Sequence, residues 1–117
     1  NVMRKNDLPV VGMDCSATEM IQRMSQGGLG LIVICRGSAI LGIVTDGDVR
    51  RAMESRQAEF FSIKPMDIAT AHPKCIRPDE KLIEAEKLMT QHKVNSLLAT
   101  DDEGRLRGVI QIYDIKL

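Results

Sequence analysis

The chain has 117 residues, 44% hydrophobic and only 3% aromatic, so aliphatic side chains and seven Met must fill its interior. Sixteen basic and sixteen acidic residues cancel, which argues against nucleic acid or an anionic membrane surface as partner. No apolar run approaches the roughly 20 residues of a membrane span, and no signal peptide is evident. Residue 1 is Asn, and the chain is read as a module excised from a longer protein. Cys15, Cys35 and Cys75 are odd in number and widely spaced, as idle reduced thiols of a cytoplasmic protein would be. His72 and His92 do not complete a metal site with them.

In chain order, Ser16 opens a capping box with Glu19, and Met20, Ile21 and Met24 recur at helical spacing. A helix over 16–26 is predicted, ended by Gly27-Gly28. Leu29 to Cys35 is a buried strand, Arg36-Gly37-Ser38 a turn, and Ala39 to Thr45 the returning strand of a hairpin. Asp46 or Asp48 is expected to cap the next helix, with Val49, Ala52 and Met53 inward. From Gln57 to Pro78 the pattern loosens into a linker anchored by Phe60, Phe61 and Ile63, with a helical turn over 66–69 and a short strand at Cys75-Ile76. Asp79 is expected to cap a helix over 80–92 with Leu82, Ala85, Leu88 and Met89 inward. Strands over 95–100 and 105–110 follow, joined by the turn Asp101-Asp102-Glu103-Gly104, and a last helix starts near Ile112.

This order is a repeat. A shift of 65 overlays Met24-Ser25-Gln26 on Met89-Thr90-Gln91 and Leu29 to Cys35 on Val94 to Thr100. After the hairpin turn the shift is 66, because the second loop is one residue longer, and Gly42-Ile43-Val44-Thr45-Asp46-Gly47-Asp48 is echoed by Gly108-Val109-Ile110-Gln111-Ile112-Tyr113-Asp114. A carboxylate at such a strand-to-helix corner can accept hydrogen bonds from a sugar diol. The helix start beside it offers backbone N–H groups to a phosphate. The expected divisions are 1–56, a linker over 57–74, and 75–117. Gly27-Gly28-Leu29-Gly30 follows a helix rather than a strand, so it reads as helix termination and not as a phosphate cradle.

A strand ending in Gly, two apolar residues, Thr, two residues and Asp, then a helix, all duplicated, resembles the tandem CBS-domain (Bateman) module over essentially the whole chain. Gln111 departs from the pattern, which usually has Ser or Thr there. The acidic-glycine-acidic turn followed by Arg50-Arg51 narrows the likeness to the C-terminal part of D-arabinose 5-phosphate isomerases, which feed the pathway to Kdo in lipopolysaccharide and capsules. The resemblance implies an α+β fold of two βαββα-like repeats related by a pseudo-two-fold axis, with clefts between them. It also implies dimerisation of modules, and an N-terminal sugar-isomerase domain in a parent that is a higher homo-oligomer. It implies no catalytic residue in this chain and no required cofactor.

The resemblance also names site residues. Asp48 would accept the ribose hydroxyls, Thr45 would reach ribose or phosphate, and Ile43, on the same strand face, would pack on a base. Each has a plainer role as helix cap, strand-end hydroxyl or core residue. Arg51, with Arg50, would place a cation near a phosphate, or simply face solvent. Pro73, Lys74 and Val94 would complete the Asp48 site, and Asp114 would hold a second site flanked by Asn95 and Ser96. The implied regulatory ligand is AMP or ATP by family habit, or CMP-Kdo as the nucleotide-sugar end product. The alternative is an oligomerisation module that binds nothing.

Overall fold

The computed structural model describes residues 3–111; the helix expected from Ile112 and the candidate residue Asp114 lie outside the described residues. Two compact units form, one over residues 9–72 and one over residues 73–111 joined by residues 3–8. Both are α+β, and strand, helix, strand, strand recurs in each.

In the first unit β1 (Val10–Gly12) leads to α1 (Ala17–Gly27), the hairpin β2 (Leu31–Arg36) and β3 (Ala39–Thr45), and α2 (Asp46–Arg56). β4 (Thr70–Ala71) closes the sheet, whose order is β1-β2-β3-β4. β1 runs parallel to β2, and the other pairs are antiparallel. Ser16 caps α1 in a full capping box with Glu19, and Gly28 ends it in the left-handed conformation at φ 68°, where a side chain would be strained. Ala17, Met20, Met24 and Gly27 recur at helical spacing and are buried, and Met20 and Met24 pack with Ile32, Ile34 and Val44 from the sheet. Leu31 to Ile34 are all buried, as a continuous apolar run requires.

Residues 57–72, expected as a linker, are packed into this unit: Phe60 and Ile63 belong to its core, and β4 pairs with β3. Phe60 is 1% exposed, whereas Phe61, also expected to anchor, is 63% exposed and only meets Phe60 edge-on at 5.3 Å. The 3-10 turn at 57–62 explains the difference, because successive side chains there point in different directions. Met53, expected inward, is exposed on α2.

The second unit repeats the plan with β5 (Cys75–Ile76), α3 (Leu82–His92), β6 (Ser96–Thr100) and β7 (Leu106–Gln111). Ile76, Ala85, Met89, Leu97 and Ile110 form its core, with Met3, Leu88 and Val94 packed against it. Asp79 does not cap α3. The chain turns first, Glu80 N–H donating to Arg77 O, while the Asp79 carboxylate faces Arg77 at 3.5 Å. The helix therefore starts later, from Lys81, which makes no side-chain cap, and Leu82 is left exposed. Arg4 lies antiparallel to Val109 through two backbone hydrogen bonds of 2.9 Å, adding one further rung beside β7.

Candidate functional site

The corner from β3 to α2 is built by a second capping box, and its parts differ from the expectation. Thr45, extended at φ −105° and ψ 167°, is the cap, and its hydroxyl accepts the Asp48 N–H at 3.2 Å. Asp48 is the third helical residue, and its Oδ2 accepts the Thr45 N–H at 3.0 Å. Neither Asp46 nor Asp48 caps, because the β-branched strand-end hydroxyl already occupies the cap geometry. Asp46 instead fixes the corner to the start of β2: its N–H donates to Gly30 O at 2.9 Å, and its carboxylate lies 2.9 Å from where a Cβ on Gly30 would stand. Gly30 therefore serves close approach at φ 70°, consistent with a structural role for the glycine run.

The other oxygen of Asp48 faces Arg51, whose guanidinium donates to Oδ1 at 2.7 Å. The Asp48 side chain is 18% exposed and that of Arg51 68%, so the carboxylate is held while the cation reaches into solvent. Both oxygens are thus oriented by nearby donors, one from the end of β3 and one from α2. A carboxylate offers about four acceptor sites, so two partners do not saturate it. Arg50 is exposed on the same turn. Beside the corner lies an open groove of about 310 Å³ lined by Asp48, Arg51, Ala52, Ser55, Arg56 and Ile68. Ser55, Arg56 and Ile68 carry no motif, and only the fold brings them there. Ile43 stands two residues before the cap and is partly buried on β3, paired with Val33.

The remaining candidates sit in the second unit. Pro73 O accepts the Cys75 thiol at 3.3 Å, and Lys74 O accepts the Leu98 N–H at 3.2 Å, leaving the Lys74 side chain exposed. Val94 packs against its own unit's core and closes α3 through its N–H to Met89 O. Asn95 is exposed. Ser96 is engaged: its hydroxyl accepts Gln111 Nε2 at 3.1 Å, across the β6–β7 pair. Sequence reasoning noted Gln111 as a departure but had no signal for the partner, which lies across the hairpin.

Other chemistry is less promising. Partial burial pushes all three thiols upward, and for Cys75 a hydrogen bond with Thr100 only partly offsets this. Thiols shifted in that direction are not activated nucleophiles. Among the described residues no three His, Cys, Asp or Glu side chains are grouped to hold a metal ion, and no helix is long and apolar enough to cross a membrane.

Comparison with known proteins agrees with the duplicated corner. The chain is 33% identical over 111 residues to the arabinose 5-phosphate isomerase KpsF of Escherichia coli O6:H1, an alignment covering 94% of this chain and 34% of that protein. It spans about a third of the length of the curated relatives it matches. Among solved structures, CBSX2 in complex with AMP superposes with a TM-score of 0.81 at 20% identity, over 97% of this chain and 89% of that one. The CBS domain pair of protein MJ0100, in complex with 5′-methylthioadenosine and S-adenosyl-L-methionine, gives 0.83 at 18% identity, over 97% and 92%. These two likenesses speak for the fold. The CBS-domain sequence profile matches residues 1–55 and again 66–116, and the chain therefore belongs to the CBS-domain family, as a tandem pair.

Proposed function

We propose that this CBS pair is the ligand-sensing, regulatory part of a D-arabinose 5-phosphate isomerase, and that it takes a nucleotide or nucleotide-sugar at the β3–α2 corner. The observation that carries the reading is the Asp48 carboxylate, oriented by the Thr45 N–H and Arg51 and only partly exposed. Two neighbouring ribose hydroxyls can donate to its remaining lone pairs, each charge-assisted bond being worth about 1.5–3 kcal/mol. Arg51 is ion-paired and solvent-facing, so a phosphate can share its guanidinium without uncovering a buried charge. Ile43 would meet the base, and Pro73, Lys74 and Val94 are the further residues to test by substitution. The known binding of AMP, and of 5′-methylthioadenosine and S-adenosyl-L-methionine, by CBS pairs of the same fold supports an adenosine ligand. The second candidate is CMP-Kdo, which the resemblance to D-arabinose 5-phosphate isomerases implies as the activated sugar downstream.

The interconversion of arabinose 5-phosphate and ribulose 5-phosphate belongs, on this reading, to an N-terminal sugar-isomerase domain of a cytoplasmic homo-oligomer. The ligand acts by binding one arrangement of the module better than another, which biases the attached enzyme. Thermal-shift measurements with AMP, ATP, CMP and CMP-Kdo test it. A ligand at one hundred times its Kd adds about 2.7 kcal/mol, and the shift should vanish in Asp48→Ala. No shift with any of the four overturns the reading.

The rival is a scaffold that assembles the parent and binds nothing. It draws on the exposed Met53 and Phe61 of the first unit and Leu82 and Ile83 of the second, apolar surface suited to dimerising modules. Sedimentation velocity separates the two: sensing requires Asp48→Ala to lose ligand while keeping its assembly state.

A further inference from the structure

The two hairpins end in the same register, with Leu31 opposite Thr45 in one unit and Ser96 opposite Gln111 in the other. The chemistry at this shared position differs. Thr45 is short, its hydroxyl is turned onto the helix start, and its cross-strand neighbour Leu31 has no polar side-chain atom. Gln111 is longer, and its Nε2 spans the pair to donate to Ser96 Oγ at 3.1 Å, both residues being part-buried. The amide thus lies across the end of the second hairpin, and the Ser96 hydroxyl is already its acceptor. Ser96 keeps its O–H and one lone pair, as Thr45 does while accepting the Asp48 N–H; what differs is the amide itself, which a ligand group reaching the end of the second hairpin must move aside and which has no counterpart beside Thr45.

We infer that the end of the second hairpin is closed by its own Gln111, so that the pair takes one nucleotide per chain, in the first unit. The inference rests on the nucleotide reading of the Asp48 corner and decides its stoichiometry. Gln111 is then a specificity-determining residue: it makes two copies of one ancestral corner unequal, and the module answers a single ligand without site-to-site competition.

Isothermal titration of the whole chain with AMP, ATP, CMP and CMP-Kdo tests it. With the probe that binds, one equivalent is expected for the wild type and none for Asp48→Ala. Gln111→Thr restores a short hydroxyl and should raise the count to two; Asp48→Ala combined with Gln111→Thr should then bind one equivalent. Gln111→Ala, which removes the amide without adding a hydroxyl, guards against a folding artefact, and circular dichroism checks all variants. Two equivalents in the wild type overturn the inference, as does a count of one in both folded Gln111 variants. Absence of heat with every probe overturns the nucleotide reading itself and the inference with it.

Discussion

Asp48 has two separable roles, and a pair of substitutions separates them. Asp48→Ala removes the acceptor for the Thr45 N–H, the acidic charge in the first turn of α2, and the partner of Arg51. The cap bond is worth about 1 kcal/mol, and the charge at a helix start about 0.3–1 kcal/mol. The ion pair adds about 0–1 kcal/mol because Arg51 is 68% exposed. The variant should be about 1.3–3 kcal/mol less stable, which lowers Tm by about 5–12 °C for a chain of this size. Asp48→Asn keeps an amide oxygen for the Thr45 N–H and should cost about 0.5–1 kcal/mol, or about 2–4 °C. Ligand binding should rank differently. Both variants lack the charged acceptor, so Asn, which keeps one amide oxygen, should weaken binding about tenfold or more despite its near-native stability, and Ala, which loses both ribose bonds, about 100-fold or more, enough to abolish the thermal shift. Differential scanning fluorimetry and titration calorimetry on the same samples give both numbers. A Kd unchanged in both variants, alongside the expected fall in Tm, would show that Asp48 completes the capping box at Thr45 and does nothing more.

Gly108→Val places a Cβ 2.5 Å from Met3 Cγ and 2.7 Å from Arg4 O, so residues 3–4 should leave β7 at a cost of about 2–3 kcal/mol. Faster amide exchange at Val109 with Val33 unchanged is the expected signature, and a protected Val109 would contradict it. Phe60→Ala should cost about 3–5 kcal/mol and Phe61→Ala less than about 1 kcal/mol in urea denaturation; equal losses would contradict the burial difference. Hydrogen bonds, first from the Arg105 N–H and then from its guanidinium and the Glu103 N–H, hold the Asp101 carboxyl down at about 2. Its contribution is therefore whole above the ordinary carboxylate range and is lost as pH falls from about 4 towards about 2. Asp101→Asn should flatten the acid dependence of stability in that window, and an unchanged slope would refute the assignment.

Much of this was legible because it is local. The capping box at Ser16, the strand at Ala39–Thr45 and the Gly28 terminus are set by neighbours within four residues. Duplication made the fold class readable, since two weak patterns at one offset reinforce each other. What was missed depends on distant partners. β1 and β4 are only three and two residues long, and they are strands solely because β2 and β3 offer them ladders. Composition points to an Asp as the cap of α2, whereas the fold uses Thr45, and only the strand's last dihedral angles decide between them. Ser55, Arg56 and Ile68 reach the groove by helix pitch and chain return, which leave no composition signal.

The glycines that open the duplicated segments illustrate the same division, and they explain a motif position that sequence alone does not. A Cβ on Gly42 would stand 2.9 Å from Thr70 O, and one on Gly108 would stand 2.7 Å from Arg4 O. Thr70 and Arg4 are 66 residues apart, the offset that separates the two glycines. Each glycine is therefore dictated by a carbonyl crossing its strand, not by a turn, and the repeat must include the segment that supplies the carbonyl. The crossing segment has an energetic consequence. In a chain beginning at Pro9, Met3 and Arg4 are gone, and with them the three atoms nearest to a Cβ at Gly108. The two changes should then be strongly non-additive, with the substitution costing less than about 1 kcal/mol in the shortened chain. If Gly108→Val costs as much there as in the whole chain, the constraint on that glycine comes from somewhere other than the strand that crosses it.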